Sequence, residues 1–381
     1  MSEQKKMLAM DGGGIRGVLS LGILESIEQT VGRPLGEYFD YIAGTSTGAI
    51  LAAGLSIGMT VAELLSFYRE SGPAMFEPRF LLKRYKSLYT SDPLQARLQQ
   101  VFGADTRLGS EKLKAKLLVV TRNWTTDSPW PISSHAAARY NQTDRNDCNL
   151  RIPLWQLVRA STAAPVFFPP EVVNWDQHDP SKSFVFVDGG VTPYNNPAFL
   201  LFRMATLPQY CVNWPTGERN LLLISVGTGS APKMGAQVGE SEGTIPGQIP
   251  GLISALMHGA EVDQDINCRT VGRCVYGNLI DSELLDMIPR EGNEGDFRLT
   301  LAERLALPKK PLSEDLGKSF LYARYNAELT DEGMETLGIG KYDLDTLLKM
   351  DAAVDENIDN LYQVGAAVGR RVKSEHFGSF L

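Results

Sequence analysis

A glycine-flanked serine, in the string GTSTG at residues 44–48, is the feature that most constrains the fold of this chain. The pattern G-x-S-x-G is typical of a sharp turn between a strand and a helix, where small residues let the chain double back without a clash. Strand-like residues 41–43 precede the string, and the apolar residues 49–53 after it predict a deeply buried helix. We therefore expect Ser46 at the amino end of a helix, with its hydroxyl available as a nucleophile.

The string DGGGIRG at residues 11–17 predicts a second strand-turn-helix unit. It follows a short apolar strand, residues 7–10, and residues 17–31 after it have apolar side chains at helical spacing. The N–H groups of such a loop, with the positive end of the helix dipole, can hold an anion. We expect the N–H groups of Gly12, Gly13 and Gly14 to bind the oxyanion of an acyl-transfer intermediate.

A serine hydroxyl needs a base within hydrogen-bond reach. Asp188 is the best candidate because it ends the apolar run 184–187 and is followed by two glycines that leave its side chain open. Because ligands bind beyond the carboxyl ends of parallel strands, Asp11, Ser46 and Asp188 are expected at one rim of the sheet. Two alternatives stay open: Asp188 could cap a turn, and the order Ser46, Asp188, His258 also fits a Ser-Asp-His triad.

Other residues of these turns are expected to support the site. Asp11 is expected to accept backbone N–H bonds within its turn, and Arg16 to anchor the loop or add positive potential. The supporting set is Asp11, Arg16, Gly17, Gly44, Gly48, Gly189 and Gly190.

Further apolar runs at residues 117–120 and 221–224 predict strands that are covered on both faces, as in a mostly parallel sheet. Helices are predicted to begin after Asp92-Pro93 and after Pro153. The Gly-, Gln- and Pro-rich residues 233–251 predict a mobile loop or linker. Residues 342–368 predict a helix with an apolar stripe and an acidic, solvated face.

Composition excludes several function classes. The net charge of -8 argues against binding to a DNA or RNA polymer. The four cysteines are irregularly spaced and form no C-x-x-C pair, so neither a zinc site nor a disulfide framework is predicted, and no metal or cofactor is implied. Because we find neither a signal peptide nor a spanning helix in the sequence, we expect a cytoplasmic protein.

Two segments have competing interpretations. Gly12, Gly14 and Gly17 also satisfy the dinucleotide pattern G-x-G-x-x-G, but no acidic residue follows at the distance that a ribose contact needs. Residues 72–90 interleave aromatic and basic side chains, a pattern that suits an anionic lipid surface as well as ordinary core packing.

Four motifs, in register, resemble the patatin-like phospholipase family. They are the strings at residues 11–17 and 44–48, RASTAAP at 159–165 and DGG at 188–190. The resemblance implies a three-layer α/β/α fold with a mostly parallel central sheet and a C-terminal helical extension. It also implies lipid acyl hydrolysis by a Ser46–Asp188 dyad with residues 12–14 as oxyanion hole, which would relieve His258 of any catalytic role. We assign no catalytic role to residues 159–165, and the family-like string SVGTG at 225–229 is taken as structural.

The resemblance covers residues 5–230, which we expect to form the catalytic domain, with residues 231–381 packed on it as lid, regulatory or oligomerisation elements. In the last third it narrows to stand-alone bacterial patatins that act in anti-phage defence and are switched on by a cyclic oligonucleotide. The implied partners are a phospholipid membrane surface, bound peripherally when the enzyme is active, a cyclic oligonucleotide activator and further copies of the chain. A non-catalytic nucleotide- or lipid-binding module remains the alternative.

Overall fold

One mixed sheet forms the centre of the computed structural model, which describes residues 3–75, 92–176, 178–230, 245–278 and 317–381. Its strand order is β5-β6-β3-β2-β1-β7-β9-β8, and β4 also pairs with β3. The strands are β1 (Lys5–Met10), β2 (Tyr41–Thr45), β3 (Lys116–Asn123), β4 (Ser128–Ser133), β5 (Glu171–Asn174), β6 (Ser183–Asp188), β7 (Leu221–Val226), β8 (Arg273–Tyr276) and β9 (Leu321–Tyr325). The apolar runs predicted as β1, β2, β3 and β7 pair in parallel, which confirms the expected α/β class.

Helices cover both faces of this sheet, so the fold has the three layers that were expected. One layer includes the helices at residues 17–31, 47–56 and 355–369, and the other includes the helix at residues 198–206 and the end of the helix at residues 245–271. In the described residues the helices are α1 (Gly17–Val31), α2 (Leu35–Tyr38), α3 (Thr47–Ser56), α4 (Val61–Met75), α5 (Asp92–Phe102), α6 (Leu154–Ser161), α7 (Ala198–Thr206), α8 (Ile245–Val271), α9 (Asp331–Leu337), α10 (Leu344–Leu348) and α11 (Asp355–Gly369).

The strand before Asp188 differs from the expectation, because β6 runs antiparallel to β3. Along β3, residues 116–120 pair with β2 and residues 121–123 pair with β6. Because β4 takes the opposite edge of β3, β2 and β6 share one edge and run toward each other. The carboxyl ends of β2 and β6 meet there, which brings Ser46 and Asp188 together. The sequence suggested instead that both residues follow parallel strands at one rim of the sheet.

The central sheet crosses the expected boundary at residue 230. Strands β8 and β9 lie beyond it, and β9 pairs in parallel with β7 of the expected catalytic domain. Helix α11 also packs tightly on α1, since a Cβ atom placed on Gly365 would lie 2.0 Å from the carbonyl oxygen of Leu19. Residues beyond 230 therefore supply two strands of the central sheet as well as the expected C-terminal helices.

Two predictions for the last third were wrong in part. Residues 245–251, expected in a linker, instead begin the long helix α8. The single helix expected over 342–368 is broken between α10 and α11. At the break Met350 leaves the helix and its carbonyl oxygen accepts the N–H of Ile15 at 2.8 Å.

Most of the basic and aromatic stretch, residues 76–90, lies outside the described residues. Among the helices that the structure describes, none has the length and apolar character needed to cross a bilayer.

Candidate active site

Ser46 occupies a strained turn between β2 and α3. Its backbone angles, φ 55° and ψ −122°, are rare for a residue with a side chain, and such strain is concentrated at functional sites. The turn is so tight that a Cβ atom on Gly44 would lie 2.0 Å from the carbonyl oxygen of Gly48. A Cβ atom on Gly48 would lie 2.3 Å from the carbonyl oxygen of Met10. The two glycines are therefore required by close backbone approach, as the G-x-S-x-G pattern predicts.

Ser161, in the RASTAAP string, holds this turn in place. Its Oγ accepts the N–H of Ser46 at 2.9 Å and donates to the carbonyl oxygen of Val120 at 2.7 Å. All three residues are buried. The RASTAAP string, to which we assigned no catalytic role, therefore supports the turn that carries the candidate nucleophile.

The hydroxyl of Ser46 donates directly to Asp188. The distance from Oγ to Oδ2 is 2.6 Å, and the other carboxylate oxygen, Oδ1, accepts the N–H of Gly190 at 2.6 Å. Burial raises the pKa of Asp188 to about 6, while the bonds from Ser46 and Gly190 and the charge of Arg159 act in the opposite direction. The carboxylate is thus a stronger base than an exposed aspartate, yet it is mostly ionised at neutral pH.

The structure does not support the Ser-Asp-His alternative. The direct bond between Ser46 and Asp188 leaves no space for an imidazole between them. His258 lies on α8, and the described residues that line the pocket around Ser46 do not include it.

The glycine loop lies beside Ser46, and its three candidate N–H donors differ in whether they already have a hydrogen-bond acceptor. The N–H of Gly12 is occupied, since it donates to the carbonyl oxygen of Asn195 at 3.1 Å. Gly13 and Gly14 line the pocket, and no acceptor for their N–H groups occurs among the described residues. Of the three expected oxyanion donors, Gly13 and Gly14 therefore remain candidates and Gly12 does not.

The loop is anchored by charged side chains on its buried side. Asp11 was expected to accept backbone N–H bonds, but its carboxylate accepts none from the described residues. It pairs instead with Arg324 of β9, with the shorter N–O distance at 2.6 Å. Arg16 anchors the loop as expected, through donation to the carbonyl oxygen of Gly229 at 2.9 Å. Asp11, Arg16 and Arg324 are all buried. A residue of the last third, which no motif marks, thus holds the base of the glycine loop.

A buried arginine adds positive charge near the dyad. Arg159 is fully buried, and its Nη2 donates to the carbonyl oxygen of Pro169 at 2.9 Å. Its Nε and Nη1 have no hydrogen-bond partner among the described residues. Arg159 lowers the pKa of Asp188, and so favours the ionised carboxylate.

An apolar pocket opens over the dyad and encloses about 750 Å³ of free space, including its mouth. Ser46 and Asp188 lie in its wall together with Gly13, Gly14 and Gly190. The rest of the wall is mostly apolar or aromatic: Ile50, Tyr68, Leu94, Ala164, Pro165, Phe167, Phe168, Val191, Met257 and Met350. Met257 and Met350 come from the last third of the chain, so the pocket is incomplete without it.

The remaining predicted residues lie close by. Gly17 begins α1, and Gly189 and Gly190 form the short turn that follows Asp188. Thr228, in the SVGTG string, donates to the carbonyl oxygen of Gly12 at 2.8 Å, in keeping with a structural role. Sequence analysis did not find Asn195 or Glu261, which lie behind the glycine loop; a single amide and a single carboxylate without a motif offer no signal.

Comparison with known proteins places this arrangement in a family. The family model for patatin-like phospholipase matches residues 8–202. A cGAMP-activated phospholipase of Vibrio cholerae is 31% identical over 253 residues, which cover 60% of this chain and 65% of the relative. Patatin-17 of Solanum cardiophyllum is 29% identical over 253 residues, covering 60% and 62%. A cUMP-AMP-activated phospholipase of Escherichia coli is 28% identical over 228 residues, covering 60% and 66%.

This chain therefore matches a little under two thirds of the length of these relatives. Among solved structures, VipD of Legionella pneumophila aligns with 95% of this chain and 67% of its own at 15% identity, with a TM-score of 0.35 that is too low to bear on the fold. The match to the family model spans more than half of the chain and contains both strand-turn-helix motifs and Asp188. The chain belongs to the patatin-like phospholipase family.

Proposed function

We propose that this protein is a lipid acyl hydrolase that cleaves ester-linked fatty acids from membrane glycerophospholipids. The observation that carries the proposal is the bond of 2.6 Å between Ser46 Oγ and Asp188 Oδ2 in the wall of an apolar pocket. A nucleophile, a base and two backbone N–H groups without an acceptor among the described residues lie together there, as acyl transfer requires.

In the proposed reaction Asp188 takes the proton of Ser46 as the serine oxygen attacks the ester carbonyl carbon. The negative charge that develops on the carbonyl oxygen is stabilised by the N–H groups of Gly13 and Gly14. The protonated Asp188 then gives its proton to the leaving alcohol oxygen, and the ester bond breaks to leave an acyl group on Ser46. Water then attacks this acyl-enzyme while Asp188 accepts the water proton and passes it to Ser46, which releases the fatty acid.

The pocket walls support a long-chain acyl substrate. Aliphatic and aromatic side chains surround the dyad, and a fatty-acid chain would be removed from water on binding there. We propose that the enzyme meets this substrate at a phospholipid surface to which it binds peripherally.

The names of two relatives suggest how the activity is controlled. The Vibrio cholerae relative is cGAMP-activated and one Escherichia coli relative is cUMP-AMP-activated. We propose that a cyclic oligonucleotide switches on this protein too, and that it acts as an effector in anti-phage defence.

Fatty-acid release from mixed phospholipid vesicles tests the proposal. Wild type and Ser46→Ala are compared with and without a panel of cyclic dinucleotides and trinucleotides. We expect release by wild type with at least one panel member, and none by Ser46→Ala. If wild type binds a nucleotide or a lipid but releases no fatty acid in any arm, the protein is a binding module and the proposal fails.

A further inference from the structure

Helix α8 contacts the site at two points that lie one helical turn apart. Met257 lines the pocket, and Glu261 is buried behind the glycine loop. Residues four apart in a helix share one face, so a single face of α8 contacts both the substrate space and Asn195, which in turn bonds the glycine loop. Both residues lie beyond residues 8–202, the region that matches the family.

Glu261 reaches the glycine loop through Asn195. Its Oε1 accepts the Nδ2–H of Asn195 at 2.6 Å, and the main-chain carbonyl of Asn195 accepts the N–H of Gly12 at 3.1 Å. The hydroxyl of Thr228 holds the carbonyl oxygen of Gly12 from the other side at 2.8 Å. Both the N–H and the carbonyl group of Gly12 are therefore held by hydrogen bonds, directly before Gly13 and Gly14, the two candidate oxyanion donors.

Asn195 also lies against the segment that holds the base. Its Oδ1 would be 2.3 Å from a Cβ atom on Gly12 and 2.9 Å from a Cβ atom on Gly190, so its side-chain amide is wedged between the two glycine segments. Gly190 donates to Asp188. The position of the Asn195 side chain thus affects the glycine loop and the Asp188 turn together.

Loss of the Glu261 acceptor would release this side chain. Asn195 is fully buried, and its only other contact through Nδ2 among the described residues is a long one, 3.5 Å, to the carbonyl oxygen of Gly12. A buried amide N–H without an acceptor is unfavourable, so Asn195 would shift to find a new partner and would carry Gly12 with it.

We infer that Glu261 is a positioning residue for ester hydrolysis: through Asn195 it fixes Gly12, which keeps the N–H groups of Gly13 and Gly14 directed at the substrate carbonyl. The inference rests on the proposed function, in which these two groups stabilise the oxyanion. Glu261 itself touches neither the substrate nor the reacting atoms.

The test measures kcat and KM for p-nitrophenyl butyrate, a soluble ester that does not depend on the identity of the lipid, with and without the cyclic nucleotide panel. Glu261→Met fills similar space but offers no hydrogen-bond acceptor. We expect its kcat to fall about 10- to 100-fold, which is less than the full effect of losing an oxyanion donor, and its KM to change less than about threefold. Glu261→Gln restores an acceptor and should return kcat to within about threefold of wild type. Gln264→Ala, another buried change on α8, is the matched control and should leave kcat unchanged.

A double-mutant cycle identifies the route of the effect. If Glu261 acts through Asn195, Asn195→Ala should lower kcat as Glu261→Met does, and the double variant should be no worse than either single one. Unchanged kcat in Glu261→Met, a loss seen only in KM, or additive losses would overturn the inference. If Glu261→Met does not fold, as judged by circular dichroism, Glu261→Ala takes its place. The inference would also be overturned if Glu261→Gln had a kcat as low as that of Glu261→Met or Glu261→Ala.

The two failures are distinguishable. A wild type that cleaves neither the soluble ester nor vesicle lipids in any arm refutes the proposed function, and the inference falls with it. A wild type that is active while Glu261→Met is equally active refutes the inference alone.

Discussion

Ser46 and Asp188 are joined by a hydrogen bond of 2.6 Å although they lie 142 residues apart and at the ends of strands that run in opposite directions. Strand β2 pairs with residues 116–120 of β3, and β6 pairs with residues 121–123 on the same edge. The two strands approach each other along β3 and end where they meet. The dyad therefore depends on where β3 passes from one partner to the next, and its geometry is set by backbone pairing.

The first prediction concerns the dyad itself. Ser46→Ala and Asp188→Ala should each lower kcat for ester hydrolysis by at least about 1000-fold, since one removes the nucleophile and the other its base. His258→Ala should keep most of the activity, because the direct Ser46–Asp188 bond has no place for an imidazole. A His258→Ala variant as inactive as Ser46→Ala, with its fold intact by circular dichroism, would instead point to a triad.

The second prediction is the pH dependence of the reaction. Only the ionised carboxylate of Asp188 can accept the serine proton, and burial raises its pKa to about 6. We expect kcat/KM to rise with pH up to about 6 and to level off above it. Because the charge of Arg159 lowers the pKa of Asp188, Arg159→Gln should move the rising part of the pH profile to higher pH. Arg151→Gln, which changes an exposed arginine in the turn before α6, should not move it. If kcat/KM of Arg159→Gln rises over the same pH range as that of wild type, Asp188 does not set the pH dependence.

Local motifs predicted much of the site. The turns at Ser46 and after Asp188 are so tight that glycine is required there, and glycines at fixed spacing can be recognised in a sequence. The antiparallel direction of β6 could not be predicted in this way, because an apolar run has the same appearance in either direction. The pair formed by Asp11 and Arg324 joins residues 313 apart, and no pattern links them. The sequence did not predict that the sheet continues beyond residue 230, for the same reason. The strand order of a sheet is decided by long-range pairing, and no sequence motif marks β9 as the neighbour of β7.

A third prediction concerns Ser161, whose hydroxyl accepts the N–H of Ser46 and donates to the carbonyl oxygen of Val120. Ser161→Ala leaves two buried backbone groups without partners, which should cost about 1–3 kcal/mol in the free energy of unfolding. It should also lower kcat, because the turn that presents Ser46 loses its support. Ser133→Ala is the control: this buried hydroxyl pairs with Tyr41 at the start of β2, so its loss should lower stability and leave kcat unchanged. Urea unfolding and ester hydrolysis, measured on both variants, separate the two effects.

The fourth prediction contrasts two glycines. A methyl group on Gly44 would meet the backbone of Gly48 at 2.0 Å, where no side chain can move aside. Gly44→Ala should therefore lower the free energy of unfolding by roughly 3 kcal/mol or more, at the upper end for overpacking of a core. Gly259 lies in α8 with nothing within 4 Å of its Cβ position, so Gly259→Ala should raise stability by about 0.5–1 kcal/mol through helix propensity. Equal stabilities for the two variants in urea would contradict the close approach at the serine turn.

The last prediction follows from the burial of Glu261. Burial, with the nearby carboxylate of Asp11, raises its pKa to about 8, although Arg324 and Arg16 act in the opposite direction. Between about pH 4.5 and 8 the folded protein then holds a proton that the unfolded chain has released, so this group makes the free energy of unfolding fall as pH rises through that window.

Glu261→Gln keeps an acceptor and removes the titration. Its stability relative to wild type should therefore increase from pH 5 to pH 8, by a few kcal/mol at most on the scale of about 1.4 kcal/mol for each unit of pKa. Urea unfolding of both proteins at pH 5, 6.5 and 8 measures the difference, and Gln264→Ala, which changes no titratable group, should differ from wild type by a constant amount. A constant difference for Glu261→Gln as well would mean that Glu261 is ionised at neutral pH, with Arg16 and Arg324 together offsetting its burial.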